Sequence, residues 1–298
     1  MVIETWTDLV TQLEAALAFA RGLGLDDGAV AGSRFTAFRA RIVDLAGALE
    51  RDGNDAAFKR FMSDVEFNAV ALTESNELVT VLSYLESIPP QCAKKKLQVA
   101  LQGPQLPADE DAQSNEARNT MFELNLAARL HRAGLPVDIG GDADLEFACD
   151  GVRWFGECKR PYKVDTIESN IGEACRQLGE RLSSSRLAAR GLLAISLSRP
   201  LTTKATYLEY AGEAQLKQAL EEHVGFMVEL MKKRMLELDQ CRAAPGLGLL
   251  LAHLIMPAWD TAVGIPTSVQ YSAGADVCGN GTGDGERLWT IIGRTFNR

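Results

Sequence analysis

Two carboxylates on neighbouring predicted strands could together bind a divalent cation, with a lysine two residues beyond one of them. Residues 143–149 and 152–159 have the alternation of strands, and Asp150-Gly151 between them is typical of a two-residue hairpin turn. If Cys149 pairs with Val152, Asp144 lies directly opposite Glu157, and directly opposed residues share one face of a sheet. Their Cβ atoms would be about 5 Å apart, and a hard divalent cation would relieve the repulsion between the two carboxylates.

The same register divides the hairpin into an apolar face and a polar face. The apolar face, which we expect in the core, carries Leu145, Phe147, Cys149, Val152, Trp154 and Cys158. Lys159 joins Asp144 and Glu157 on the polar face. A Glu-x-Lys pair alone is weak evidence, because opposite charges also pair on ordinary solvated sheet faces. A solvated face is therefore the alternative interpretation of Glu157 and Lys159.

Asp144, followed by Glu157-x-Lys159 on the next strand, resembles the motif of the PD-(D/E)XK nuclease superfamily. A predicted helix over 116–134 contains Phe122-Glu123, which is similar to the first core helix of that family. A predicted helix over about 167–190 contains Gln177, and 192–197 forms a buried-strand run. The sequence departs from the family motif at Ala143, where the motif has a proline.

The resemblance implies a Mg²⁺-dependent enzyme (with Mn²⁺ as a substitute) that hydrolyses phosphodiester bonds of DNA. By resemblance, Asp144 and Glu157 bind the metal directly, the main-chain carbonyl of Cys158 is a third ligand, and Lys159 orients or deprotonates the attacking water. Glu123 supplies a further carboxylate, with Glu116 two helical turns earlier as the alternative, and Gln177 supports the metal or the water. RNA as substrate, endonuclease or exonuclease action, and a role in restriction, defence or repair all stay open.

The predicted fold class is α/β, with a restriction-endonuclease-like core (a mixed central sheet flanked by helices) and an all-helical N-terminal region. Apolar residues recur at helical spacing through residues 1–102, and the proline-containing, acidic segment 103–114 predicts a linker to a nuclease-like domain over 115–298. After that core we expect a long helix over about 213–240, a strand over 247–256, and a final pair of strands near 269–278 and 287–296.

Composition and charge restrict the classes of partner. The chain has 298 residues, is 46% hydrophobic, and has no segment with the length of about 20 apolar residues that crosses a bilayer. The start of the sequence lacks the basic and apolar regions of a signal peptide, and its six cysteines include no CxxC pair. We therefore expect a cytoplasmic protein with reduced thiols and no membrane partner.

A local basic segment offsets the net charge of −9, which by itself disfavours a large nucleic-acid surface. Residues 153–204 contain ten Lys/Arg against five Asp/Glu, and they flank the hairpin. This basic segment has two possible interpretations, a solvated face and a phosphate-binding surface. For the second we expect phosphate contacts from Arg160, Lys163, Arg176 and Arg181. The acidic region 1–102 is expected to contact a protein partner or form a homodimer instead.

Two other functions are compatible with these residues. A catalytically silent nuclease-like scaffold would bind protein or nucleic acid, and an acid/base enzyme would use Asp144 and Glu157 without a metal. Deletion of the N-terminal helical region is expected to leave the cleavage chemistry partly intact while altering specificity or assembly. A fragment 109–298 that cannot fold would show that the two regions share one core.

Overall fold

The computed structural model describes residues 5–111, 115–141, 143–185, 188–202, 207–244, 246–262, 264–277 and 283–296. The chain forms two compact units. The first consists of Met1–Ala128, Lys204–Leu216 and Met256–Val269, and the second of Arg129–Thr203, Lys217–Ile255 and Gln270–Arg298. This division differs from the predicted boundary at 103–114, because two later segments return to the first unit. Residues 112–114 of that predicted linker lie outside the described residues.

The N-terminal part of the first unit is helical, as the periodicity predicts. Caps and turns separate its helices: the Thr5 side chain accepts a hydrogen bond from the Asp8 N–H, and Gly53 adopts a left-handed conformation between two of them. The helices are α1 (Trp6–Gly22), α2 (Asp27–Ala31), α3 (Arg34–Asp52), α4 (Asn54–Met62), α5 (Val65–Ser87) and α6 (Pro90–Ala100).

A buried ionic cluster ties these helices to the start of α7 (Glu116–Arg132). The Glu74 carboxylate accepts from Arg34 Nε and from Arg118 Nε, both at 2.6 Å, and Arg118 also pairs with Glu110 at 3.1 Å. Burial alone would raise the pKa of Glu74, but the guanidinium groups of Arg118 and Arg34 outweigh it and hold that pKa below its ordinary value. The Glu74 carboxylate is therefore ionised inside the first unit, while Arg34 Nη2 is buried with no hydrogen-bond partner among the described residues.

An open, mixed seven-stranded sheet flanked by helices defines the α/β class of the chain. Its path is β1-β2-β3-β4-β6-β5, and β7 pairs with β6. The first two pairings along this path are antiparallel and the others are parallel. The strands are β1 (Val137–Asp138), β2 (Leu145–Cys149), β3 (Val152–Lys159), β4 (Ala189–Ser196), β5 (Leu208–Tyr210), β6 (Leu247–Asp260) and β7 (Ile265–Asp276).

The helix that matters most for the hairpin is α8 (Ile167–Ser184), which connects the parallel strands β3 and β4. Its apolar stripe, with Ile171, Ala174 and Leu178 fully buried, packs it against the sheet. The other helices after α7 are α9 (Ser198–Thr202), α10 (Glu213–Glu237), α11 (Asp239–Arg242) and α12 (Asp284–Phe296). Among the described residues, no helix is both long enough and apolar enough to cross a bilayer.

One of the predicted C-terminal strands is wrong. Residues near 269–278 belong in part to β7, but 287–296 belongs to the helix α12. Leu288, Ile292 and Phe296 follow one another at intervals of four residues and are each 1% exposed or less. In a strand Thr290 and Arg294 would share that face, but both are exposed, whereas a spacing of four residues returns to one buried face of a helix.

The prediction that all cysteines are reduced thiols is also wrong. Cys175 on α8 and Cys241 on α11 form a disulfide, because the two helices bring their Cα atoms to 5.0 Å. Neither cysteine has a near neighbour in sequence that would signal the pairing, since 66 residues separate them. Cys92, Cys149 and Cys158 are not part of a disulfide, and Cys278 lies outside the described residues.

Replacing both Cys175 and Cys241 by serine is expected to lower the free energy of unfolding by about 2–4 kcal/mol, because the disulfide restricts the unfolded chain. Denaturant unfolding would measure the loss. A thiol reductant should destabilise the wild type by a similar amount and leave the double variant unchanged. Cys92→Ser is the matched control, since Cys92 is a free and partly exposed cysteine. A wild type that is insensitive to the reductant would contradict the expectation.

Candidate functional site

The β2–β3 hairpin has the predicted register. Its pairs run from Cys149↔Val152 at the turn to Leu145↔Gly156. Asp150 and Gly151 both have positive φ, 49° and 78°, as a type I′ turn requires. On the apolar face, Phe147 stacks on Trp154 with ring centroids 6.1 Å apart. The turn chemistry and the apolar face therefore position the polar face as the sequence indicates.

Asp144 precedes Leu145 and Glu157 follows Gly156, so these two residues come directly after the last observed pair of the hairpin. Strand β2 begins one residue after Asp144, and the Asp144 carboxylate lies against β3, where its Oδ2 accepts from the Cys158 N–H at 2.8 Å. Glu157 is only 1% exposed. The hairpin thus brings the Asp144 carboxylate to the main chain beside a buried glutamate, at the carboxyl end of β3.

Helix α8 presents a polar stripe to the end of β3. Glu173, Gln177 and Arg181 follow one another at intervals of four residues, so they lie along one side of the helix. Glu157 and Lys159 are two residues apart on β3 and therefore point to the same side of the sheet. The packing of the helix on the strand brings these two sets of side chains into contact.

Lys159 is held by this stripe at the last position of β3. Its Nζ donates to Gln177 Oε1 at 2.7 Å, and it lies 3.6 Å from a Glu173 carboxylate oxygen and 3.9 Å from Glu157 Oε2. The Lys159 side chain is 15% exposed. The ammonium group is therefore fixed in position by three polar neighbours but still open to solvent on one side.

Arg181 contacts Glu157 directly. Its Nη1 donates to Glu157 Oε1, and the two side chains are 23% and 2% exposed. Because an ionised carboxylate is costly to bury alone, this guanidinium stabilises the charge of Glu157. The sequence predicts Arg181 as a phosphate contact, whereas in this structure it pairs with a predicted metal ligand.

Each of the other predicted site residues has its own contacts and exposure. Glu123 belongs to the first unit, where its carboxylate accepts from Lys96 Nζ at 2.7 Å. Lys163 is exposed in the loop after β3, and Arg176 is exposed on α8 in an ion pair with Glu180 at 2.7 Å. Arg160 directly follows β3 and is partly buried.

Glu173 is a site residue that the sequence interpretation misses. It contacts the Lys159 ammonium from the first turns of α8, and its own side chain is 54% exposed. The signal was available, because Glu173 lies one helical turn before Gln177 on the same side of the predicted helix. Glu173 adds a third carboxylate near the end of β3 without being buried in the sheet.

The carboxylates at the end of β3 could bind a cation or a polar ligand. The Lys159 ammonium, held by its neighbours, could donate a hydrogen bond to such a ligand. Among the described residues, no cluster of three or more His, Cys, Asp or Glu side chains is placed to hold a metal ion. Glu157 and Glu173 lie within 4 Å of the Lys159 ammonium, Arg181 pairs with Glu157, and Asp144 accepts from the neighbouring Cys158 N–H.

Comparison of the chain with protein-family models, with curated proteins and with solved structures found no match. A function can therefore be argued only from the residues and contacts at the end of β3.

Proposed function

We propose that this protein is a Mg²⁺-dependent nuclease that hydrolyses phosphodiester bonds of DNA, with a restriction-endonuclease-like core. The observation that carries the proposal is the contact of Lys159 Nζ with Gln177 Oε1 at 2.7 Å, on the strand that also presents Glu157. A solvated Glu-x-Lys face would not bury Glu157 to 1% exposure beside a helix. The aspartate, glutamate, lysine and glutamine of the motif thus occur as one local group.

The order of elements supports the fold assignment. Helix α7 is followed by β1, β2 and β3, then by the crossover helix α8 and the parallel strand β4. This order contains the helix, two strands, helix and strand that the resemblance requires. Ligands of open α/β sheets bind beyond the carboxyl ends of the strands, and Lys159 is the last residue of β3.

The donor set at the end of β3 fits Mg²⁺. This ion keeps several waters and is commonly bound by one or two carboxylates together with substrate phosphates, so a three-residue cluster is not needed. Asp144 and Glu157 would hold it, with the Cys158 carbonyl beside them, and Mn²⁺ would bind the same oxygens. When bound, the ion would supply charge stabilisation for the phosphoryl oxygens and lower the pKa of a bound water.

The protein side chains have distinct roles in the proposed reaction. The Lys159 ammonium would orient the attacking water and stabilise negative charge that develops on the phosphoryl oxygens as the water oxygen bonds to phosphorus and the P–O bond to the leaving oxygen breaks. Gln177 and Glu173 would fix Lys159 in this position. Helices α1 to α6 are proposed to set the choice of substrate or partner, because residues 1–102 carry more acidic than basic residues, which disfavours phosphate binding.

The test is cleavage of supercoiled plasmid, linear duplex, single-stranded DNA and RNA by the full chain with Mg²⁺ or Mn²⁺. We expect cleavage of at least one DNA substrate that stops when a chelator is added. Cleavage that survives chelation would instead support acid/base catalysis without a metal. Absence of cleavage on all substrates with both ions would contradict the nuclease proposal.

A catalytically silent scaffold is the second candidate, and one observation favours it. The Arg181–Glu157 ion pair satisfies the buried carboxylate without any metal ion. In a silent relative that pair would be permanent, and the protein would bind nucleic acid or protein without cleaving it. Binding of DNA that is indifferent to Mg²⁺, together with no cleavage, would select this candidate.

The salt dependence of DNA binding should identify the phosphate contacts. Lys163 is exposed in the loop that follows Lys159, so Lys163→Ala is expected to reduce the log–log salt slope by about 0.9 on duplex DNA and weaken all sequences alike. Binding would be measured with Ca²⁺ in place of Mg²⁺. Lys217→Ala is the control, because Lys217 is an exposed lysine of α10 outside the proposed site. An unchanged salt slope for Lys163→Ala would mean that Lys163 makes no contact with a DNA phosphate.

A further inference from the structure

Glu157 is the least exposed ionisable group of the candidate site and has two cationic neighbours. Arg181 contacts its Oε1, and Lys159 Nζ lies 3.9 Å from its Oε2. These two cations differ in exposure. Lys159 donates to Gln177 at 2.7 Å and its side chain is 15% exposed, whereas Arg181 comes from the last turns of α8 and its side chain is 23% exposed.

This difference decides which partner can leave the carboxylate. Glu157 lies on a central strand and cannot follow a partner into solvent. Arg181 can, because its long side chain is already 23% exposed and an arginine can keep its stem packed while its charged head group turns to solvent. A divalent cation bound to Glu157 would compete with the guanidinium, because two positive groups at one buried carboxylate repel each other strongly at short range.

We propose that Arg181 is an exchangeable counterion of Glu157. It neutralises the buried carboxylate while no divalent ion is bound there. When a divalent ion binds Glu157, Arg181 moves to a phosphate of the substrate. This inference rests on the proposed nuclease function. It also explains how Arg181 can be a phosphate contact and still pair with Glu157 in this structure. A guanidinium matches carboxylate and phosphate oxygens by the same bidentate geometry, so the exchange replaces one partner by another of the same kind.

The exchange has a thermodynamic signature that needs no catalysis. When a competitor occupies a site part of the time, the apparent dissociation constant of the ligand equals its intrinsic value divided by the fraction of unoccupied sites. Removing the guanidinium should therefore tighten divalent-ion binding even though it weakens nucleic-acid binding. A residue with a purely structural role would not move these two affinities in opposite directions.

The experiment is calorimetric titration of Ca²⁺ into the full chain, comparing wild type, Arg181→Gln and Arg181→Lys. We expect Ca²⁺ to bind Arg181→Gln about tenfold to a hundredfold tighter than wild type, with Arg181→Lys between them. In Ca²⁺, Arg181→Gln should bind duplex DNA more weakly, with a salt slope smaller by about 0.9. Arg234→Gln is the matched control, because Arg234 is a carboxylate-paired arginine of the same unit outside the site.

A second measurement keeps the test independent of variant folding. In the wild type, labelling of arginine by phenylglyoxal would be followed by peptide mass spectrometry, and labelling of Arg181 is expected to increase when Ca²⁺ is added. Equal or weaker Ca²⁺ binding by Arg181→Gln, or Arg181 labelling that Ca²⁺ leaves unchanged, would overturn the exchange.

The outcomes also separate this inference from the proposed function. If Ca²⁺ binds wild type and Asp144→Asn or Glu157→Gln abolishes that binding, the metal site stands. An Arg181→Gln affinity equal to that of wild type would then reject the exchange alone. If Ca²⁺ binds neither wild type nor Arg181→Gln, the metal site and the exchange are both rejected.

Discussion

Lys159→Ala is expected to lower kcat for DNA hydrolysis by about 10²–10³-fold and to change DNA affinity by no more than about twofold. The reason is that Lys159 is held at the end of β3 by Gln177 and Glu173, where it can act on charge that appears only in the transition state. Single-turnover cleavage with Mg²⁺ would measure the first quantity, and binding with Ca²⁺ the second.

Matched variants separate this effect from a general loss of positive charge. Lys163→Ala removes a lysine from the adjacent loop and should weaken binding while it preserves single-turnover cleavage at saturating protein. Gln177→Ala should lower kcat less than Lys159→Ala does, because it loosens the lysine without removing it. A Lys159→Ala variant that cleaves as fast as the wild type would remove the basis of the proposed mechanism.

Deletion of residues 1–108 is expected to leave a fragment, 109–298, that does not unfold cooperatively. The first unit is built from three separate segments, and the deletion removes the partners of the later ones. The Trp259 ring would lose Phe58, the Pro266 carbonyl would lose the Trp6 indole N–H, and Arg118 would lose Glu74. Circular dichroism with denaturant titration would measure the loss of cooperativity.

Smaller changes provide the control for this deletion. Phe58→Ala is expected to destabilise the first unit by about 3 kcal/mol or less, because Phe58 is only partly buried, and to leave the chain folded. A fragment 109–298 that unfolds cooperatively and retains chelator-sensitive cleavage would contradict this expectation and support a boundary at 103–114.

Local signals in the sequence predicted the parts of the site that depend on neighbouring residues. Asp150-Gly151 set the turn, and the turn set the pairing from Cys149↔Val152 to Leu145↔Gly156. The interval of two between Glu157 and Lys159 placed them on one side of β3. These features follow from dihedral preferences and side-chain alternation, which act over a few residues.

The features that the sequence did not predict depend on distant segments. The Arg181–Glu157 pair requires the rotation of α8 on β3, and the Cys175–Cys241 disulfide requires α11 to pack beside α8. The residues expected as a strand near 287–296 form the helix Asp284–Phe296. Amphipathic spacing can identify a helix, but the neighbour that the helix packs on is determined by packing across the whole unit.

The path of strand β6 has a consequence for the order of folding. Its first part, to Ile255, belongs to the second unit, and the part from Met256 belongs to the first. The Trp6 side chain bonds to a carbonyl 260 residues later, so a chain emerging from the ribosome cannot complete its N-terminal unit until most of the protein has been made. Such long-range closure slows folding and prolongs the exposure of apolar surface. Helices α1 to α6 are therefore expected to remain partly folded during synthesis until the later segments are made, and chaperones can bind them in this state.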